Sequence, residues 1–191
     1  MTLLLLAQLA CVDADDSGDT APADDSGDTA TTPVSLNDLL AGPETSAWGC
    51  RWAYMVSERD AAGFVADLHL LEADRYANLD VHYTRALEAG ESLTVGGGTG
   101  TDDFAVFDCS DVFEVEQGVH VWQATSATID LVATYVEDRP EWTCYGTGPN
   151  PVYDAQLTVV DATFEDAGGA RGTLTDWGPL AVQIGMDFCG G

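Results

Sequence analysis

Ala127-Thr128-Ile129-Asp130-Leu131-Val132-Ala133-Thr134-Tyr135-Val136 alternates, with Ala, Ile, Leu, Ala and Tyr at its odd positions and Thr, Asp and Thr among its even ones. A period of two sends successive side chains to opposite faces, so this stretch predicts a strand with one face on a core and one on water. Leu157-Thr158-Val159-Val160-Asp161-Ala162-Thr163-Phe164 repeats the pattern. Both are rich in β-branched residues, which suit a pleated, half-buried surface.

Outward from these two stretches, the chain from residue 48 onward breaks into short runs of Val, Thr, Tyr, Phe and Trp between Gly, Asp and Pro turns. Candidate strands are 48–57, 64–71, 79–87, 92–95, 104–109, 112–116, 119–124, 127–137, 152–164, 170–175 and 180–188. A helix of one or two turns fits residues 35–40, with Ser35 as its cap and Asp38 three residues on. Strands that do not alternate with helices predict an all-β domain, an antiparallel β-sandwich of about ten strands, with a closed barrel as the alternative.

The charge is one-sided: 33 acidic residues stand against six arginines, and there is no lysine. Seven of the aspartates lie in residues 12–33, leaving 26 acidic residues and six arginines for the rest. Such a surface repels phosphate backbones, which excludes nucleic acid as a partner. It also disfavours anionic lipid, so any membrane contact has to come through a covalent lipid.

Residues 14–21 read ADDSGDTA, and residues 23–30 repeat them letter for letter around Pro22. With no apolar side chain larger than Ala, this stretch cannot offset its ordering entropy by burial. It is expected to be a disordered, self-repelling tether. An EF-hand loop counted from Asp13 would place Gly18 sixth, but its twelfth position is Asp24 where Glu is needed, so the aspartates read as a solvated spacer.

Ahead of the tether, residues 1–10 read MTLLLLAQLA, an apolar run too short to span a bilayer, which takes about 20 residues. The run fits the end of a signal-peptide apolar region. No Lys or Arg precedes it, so either the start lies upstream or the signal has degraded. Gln8-Leu9-Ala10-Cys11 resembles the lipobox of bacterial lipoproteins: Ala10 and Cys11 match, while Gln8 and Leu9 differ. The resemblance implies cleavage before Cys11 and a diacylglyceryl group on its sulfur as the lipid anchor. Val12, where Asp would tend to retain a lipoprotein at the inner membrane, then implies an outer-membrane or surface location.

The cysteine count agrees. Setting Cys11 aside leaves Cys50, Cys109, Cys144 and Cys189, an even set that can pair fully in an oxidising compartment. Three pairings are open; Cys50 with Cys189 is favoured because first and last strands often lie side by side. The expected organisation is a signal peptide at 1–10, anchor and linker at 11–33, and a disulfide-bonded domain at 34–191.

Chemistry-bearing patterns in the domain are sparse. Residues 95–101, VGGGTGT, lack the lysine of a phosphate loop and run into Asp102 and Asp103, which would repel phosphate. His69, His82 and His120 have no metal-ligand spacing and read as three unrelated surface or edge residues. Ser57, Ser92, Ser110 and Ser126 lie in no G-x-S-x-G elbow. Asp102, Asp103, Asp108 and Asp111 crowd one loop-rich region and are the candidate calcium ligands. Trp142 and Tyr145 flank Cys144 in a loop rich in Pro and Gly, as aromatics that could stack on a sugar or pack over a disulfide. The expectation is a non-catalytic, lipid-anchored envelope structural or interaction module. A glycan- or calcium-binding surface module comes next, and an unrecognised hydrolase third.

Overall fold

In a computed structural model, the described residues are 32–50, 53–60, 62–69, 78–97, 120–139 and 150–185. The chain divides into two units, Met1–Ala30 and Thr31–Gly191. The second is all-β. Its elements are β1 (Val34–Ser35), α1 (Leu36–Leu39), β2 (Glu44–Cys50), β3 (Tyr54–Arg59), β4 (Ala62–Asp67), β5 (Val81–Ala86), β6 (Ser92–Gly97), β7 (His120–Asp138), β8 (Pro151–Asp166) and β9 (Arg171–Gly185). The candidate strands at 104–109 and 112–116 lie outside the described residues.

The expected two-layer division is not seen among these strands, which form one nine-stranded sheet curled into a half-barrel. Its order is β1-β9-β8-β7-β6-β4-β3-β2, with β5 also on β7. Every pairing is antiparallel except β1 with β9. Curling brings β2 and β3 against β9, so the two ends of the sheet share one core. Phe64 of β4 meets Trp177 of β9 there at 4.3 Å between ring centroids, and the Arg59 guanidinium of β3 lies over the same indole.

The alternation in β7 holds as read: Ala127, Ile129, Leu131 and Ala133 are buried and Val132, Thr134 and Val136 are exposed. In β8 it holds only to Val159. Thr128 pairs with Asp161 and Ile129 with Val159, so Val160 is an extra residue with no partner on β7. A one-residue slip exchanges the two faces of a strand. Leu157 and Val159 are therefore succeeded in the core by Ala162 and Phe164.

Two apparent turns are bulges. The strands expected separately at 119–124 and 127–137 are, from His120 on, one strand of 19 residues in which the Thr125-Ser126 step shifts register, secured by hydroxyl contacts of both residues to Thr163. The strands at 170–175 and 180–188, also expected as two, are joined over their described part through Asp176-Trp177-Gly178-Pro179 into β9, which runs Arg171–Gly185. Gly178 has φ +120°, and a Cβ there would sit 2.7 Å from the Leu157 carbonyl oxygen, so only glycine fits the crossing. Conversely, 48–57, expected as one strand, contains a reversal: β2 and β3 form a hairpin, with Ala53 at φ 116°. An alanine in that conformation gives no turn signal to read.

The first segment of the domain is sealed onto β9. Val34 and Ser35 pair with Gly172 and Thr173. Beyond them Asn37 donates from Nδ2 to the Thr175 carbonyl at 2.7 Å and accepts the Thr175 N–H at 2.9 Å, imitating a further strand residue along an otherwise open edge. Leu36 and Leu40 are buried completely. The expected cap on α1 is not made: Ser35 extends into β1 and has no side-chain capping bond.

Candidate functional site

Of the residues singled out from the sequence as site candidates, only Cys50 falls among those described. It ends β2, fully buried beside Trp48, Tyr54, Val56 and Val65, on the face of β2–β4 opposite the main core. Cys11, Cys109, Cys144, Cys189, Asp102, Asp103, Asp108, Asp111, Trp142 and Tyr145 lie outside the described residues. Among the described residues no three His, Cys, Asp or Glu side chains converge as a metal site.

What the fold does bring together is each histidine with an aspartate. Asp67, the last residue of β4, and His69, two residues on, approach to 3.8 Å. His82 of β5 donates from Nε2 to Asp130 Oδ1 of β7 at 2.9 Å, and the Thr84 hydroxyl donates to the same oxygen. The Thr84 hydrogen bond, then that of His82, holds the Asp130 carboxyl below the usual range.

The third pair is the most organised. His120 opens β7; its ring is stacked on Trp122 with centroids 3.9 Å apart and planes 9° from parallel, and its Nε2 donates to Asp166 Oδ2 at 2.5 Å. Asp166 closes β8, and its other oxygen accepts the N–H groups of Gly168 at 2.8 Å and Ala170 at 2.7 Å across the β8–β9 turn. One carboxylate thus serves the turn with one oxygen and the neighbouring strand with the other. The Ala170 N–H leads the influences that lower the Asp166 carboxyl, with His120 and the Gly168 N–H adding to it against some burial.

A fourth constellation, unread in the sequence, is Arg85 with Glu91. Glu91 accepts both guanidinium arms at 2.6 and 2.9 Å, and also the N–H groups of His69 at 3.0 Å and Glu88 at 2.8 Å. Its side chain is 1% exposed and that of Arg85 20%. Burial alone would raise the Glu91 carboxyl, but the Arg85 bond and the two backbone donors outweigh it and hold it below the ordinary value. Because removing Glu91 leaves Arg85 with only the exposed Glu88 carboxylate at 3.5 Å and takes the acceptor from the His69 and Glu88 N–H groups, Glu91→Ala should cost about 3 kcal/mol in urea unfolding near neutral pH. A depressed carboxyl stabilises the fold above its unfolded pKa of about 4.3 and loses that contribution as pH falls through the folded value. Glu91→Gln should therefore lose stability at neutral pH and show a shallower acid limb than the parent.

Apart from His69–Asp67, which lie on one segment, these groups act chemically as ties between separate segments of the sheet. Of the serines considered above, Ser57 donates to Glu44 at 2.7 Å and Ser126 meets Thr163 at 2.7 Å. No helix among the described residues is long and apolar enough to cross a membrane. No family model matches the chain, and neither a curated protein nor a solved structure does.

Proposed function

We propose that the protein is a lipid-anchored module of the cell envelope, held by Cys11 on an acidic tether and acting through its β domain as a structural or interaction element rather than as a catalyst. The observation that supports this is the seating of the first segment of the domain, to which the proposed tether would lead. Residues 34–40 are locked into the domain through the β1–β9 ladder, both amide bonds of Asn37, and the burial of Leu36 and Leu40. A tether that ends on a sealed segment transmits position and load to the whole domain. A frayed N-terminus would not.

The strand groups folded over one core from the two ends of the sheet take the place of the two layers of a sandwich. Pairing of Cys50 with Cys189 belongs to the same proposal. Gly49 lies against Val182, Gln183 and Ile184 near the end of β9, and Cys189 follows Gly185 by four residues, a reach of roughly 13–14 Å when extended. An outer-membrane or surface location is proposed from Val12.

The test is detergent phase partition of the full chain exported by a bacterial host. Wild type is expected in the detergent phase and Cys11→Ala in the aqueous phase, because a diacylglyceryl group supplies about 0.8 kcal/mol of membrane affinity per buried CH₂. Equal partition of the two proteins would sink the anchor. Non-reducing peptide mapping of the same material should yield a linked Cys50–Cys189 pair, and Cys50 linked to Cys109 or Cys144 would replace it.

A further inference from the structure

His120, Trp122, Asp166 and the β8–β9 turn form one connected unit at the end of the sheet. Trp122 is 7% exposed, and His120 lies face to face with it. Asp166 holds the turn through two backbone N–H groups while its second oxygen faces the imidazole. An imidazole is the side chain that changes charge between about pH 5 and 8. When charged, it gains an ion pair with the carboxylate and a cation–π contact with the indole, and when neutral it keeps only a hydrogen bond and ordinary stacking.

We propose that His120 is a protonation-sensitive latch, tying the first residues of β7 to the β8–β9 turn in acid and loosening that tie as the imidazole loses its proton. Among the described residues, Asp166 is the charged group that faces the imidazole. From β6, the strand paired with this part of β7 contributes Gly96 and Gly97. Glu165 and Arg171 pair with each other, and Glu165 with Gln123, on the opposite face. The latch works through Asp166: charge on His120 fixes the carboxylate whose other oxygen organises the turn. The carboxyl of Asp166 is held below the usual aspartate range, chiefly by the Ala170 N–H, so the partner of the imidazole keeps its negative charge in mild acid.

A charged imidazole stacked on an indole draws excited-state charge from it and dims its emission. Tryptophan emission of the full chain, followed from about pH 5 to 8, should rise in one titration step as pH rises. That step should be absent from both His120→Asn and Trp122→Phe. In unmodified protein, which needs no variant to fold, the Gly168 and Ala170 amide resonances should titrate with the His120 ring. An emission step that survives in His120→Asn, or Gly168 and Ala170 amides that stay fixed while the His120 ring titrates, would overturn the latch.

Discussion

Gly49→Ala should destabilise the domain by more than any single surface change, to the point of abolishing two-state folding at physiological temperature. A Cβ at this position would lie 2.6 Å from the Gln183 carbonyl oxygen and 2.8 Å from side-chain carbons of both Val182 and Ile184. The closest of these is backbone, which cannot rotate away, so β2 would have to lift from β9. That contact brings the two ends of the curled sheet together, so opening it exposes the shared core. Overpacking alone costs about 1–3 kcal/mol, and separation of a core interface adds to it. Thermal unfolding by circular dichroism reads the loss. By contrast, a Cβ at Gly172 would meet only side-chain carbons of Leu36, Cδ1 at 2.9 Å and Cγ at 3.0 Å, and no backbone atom, so Gly172→Ala should cost less. Equal stability of Gly49→Ala and wild type would contradict the closure.

Phe64→Ala should cost about 3–5 kcal/mol, the usual loss for an aromatic ring deleted from a packed core. Phe64 is fully buried, and its ring rests on Trp177. It belongs to β4, near one end of the sheet order, while Trp177 belongs to β9, near the other. The ring is thus a cross-end contact, and its removal should couple to Trp177. In a double-mutant cycle with Trp177→Ala, the summed single losses should exceed the double loss by about 0.5–1.5 kcal/mol. Strict additivity would place the two rings in separate environments and contradict the half-barrel.

The central strands were legible because burial on one face imposes a period of two, and residues 127–136 obey it without interruption. The bulges were not. Thr125-Ser126 and Trp177-Gly178-Pro179 carry the residue types of turns, and only pairing with β8 shows that each is absorbed inside a strand. Val160 is hidden in the same way, since an extra β-branched residue inside an apolar run changes phase without changing composition. Sheet closure depends on Gly49, which in sequence is one glycine among 20. The two cross-strand His–Asp pairs had no local signal either: His82 and Asp130 are 48 residues apart and His120 and Asp166 46 apart. The uninterrupted β5–β7 register brings the first pair together, and the β7–β8 register, interrupted by bulges, the second. The turn half of the last pair was readable, because Asp166 ahead of Gly168 and Gly169 is ordinary turn chemistry.

The anchored-module account rests on Cys11, and the mass of the mature N-terminal peptide tests it most directly. After export from a bacterial host, the account predicts a peptide beginning at Cys11, carrying a diacylglyceryl group on sulfur and reading on into the Asp-rich repeat. A peptide that begins anywhere else, or a Cys11 with an unmodified thiol, would contradict it.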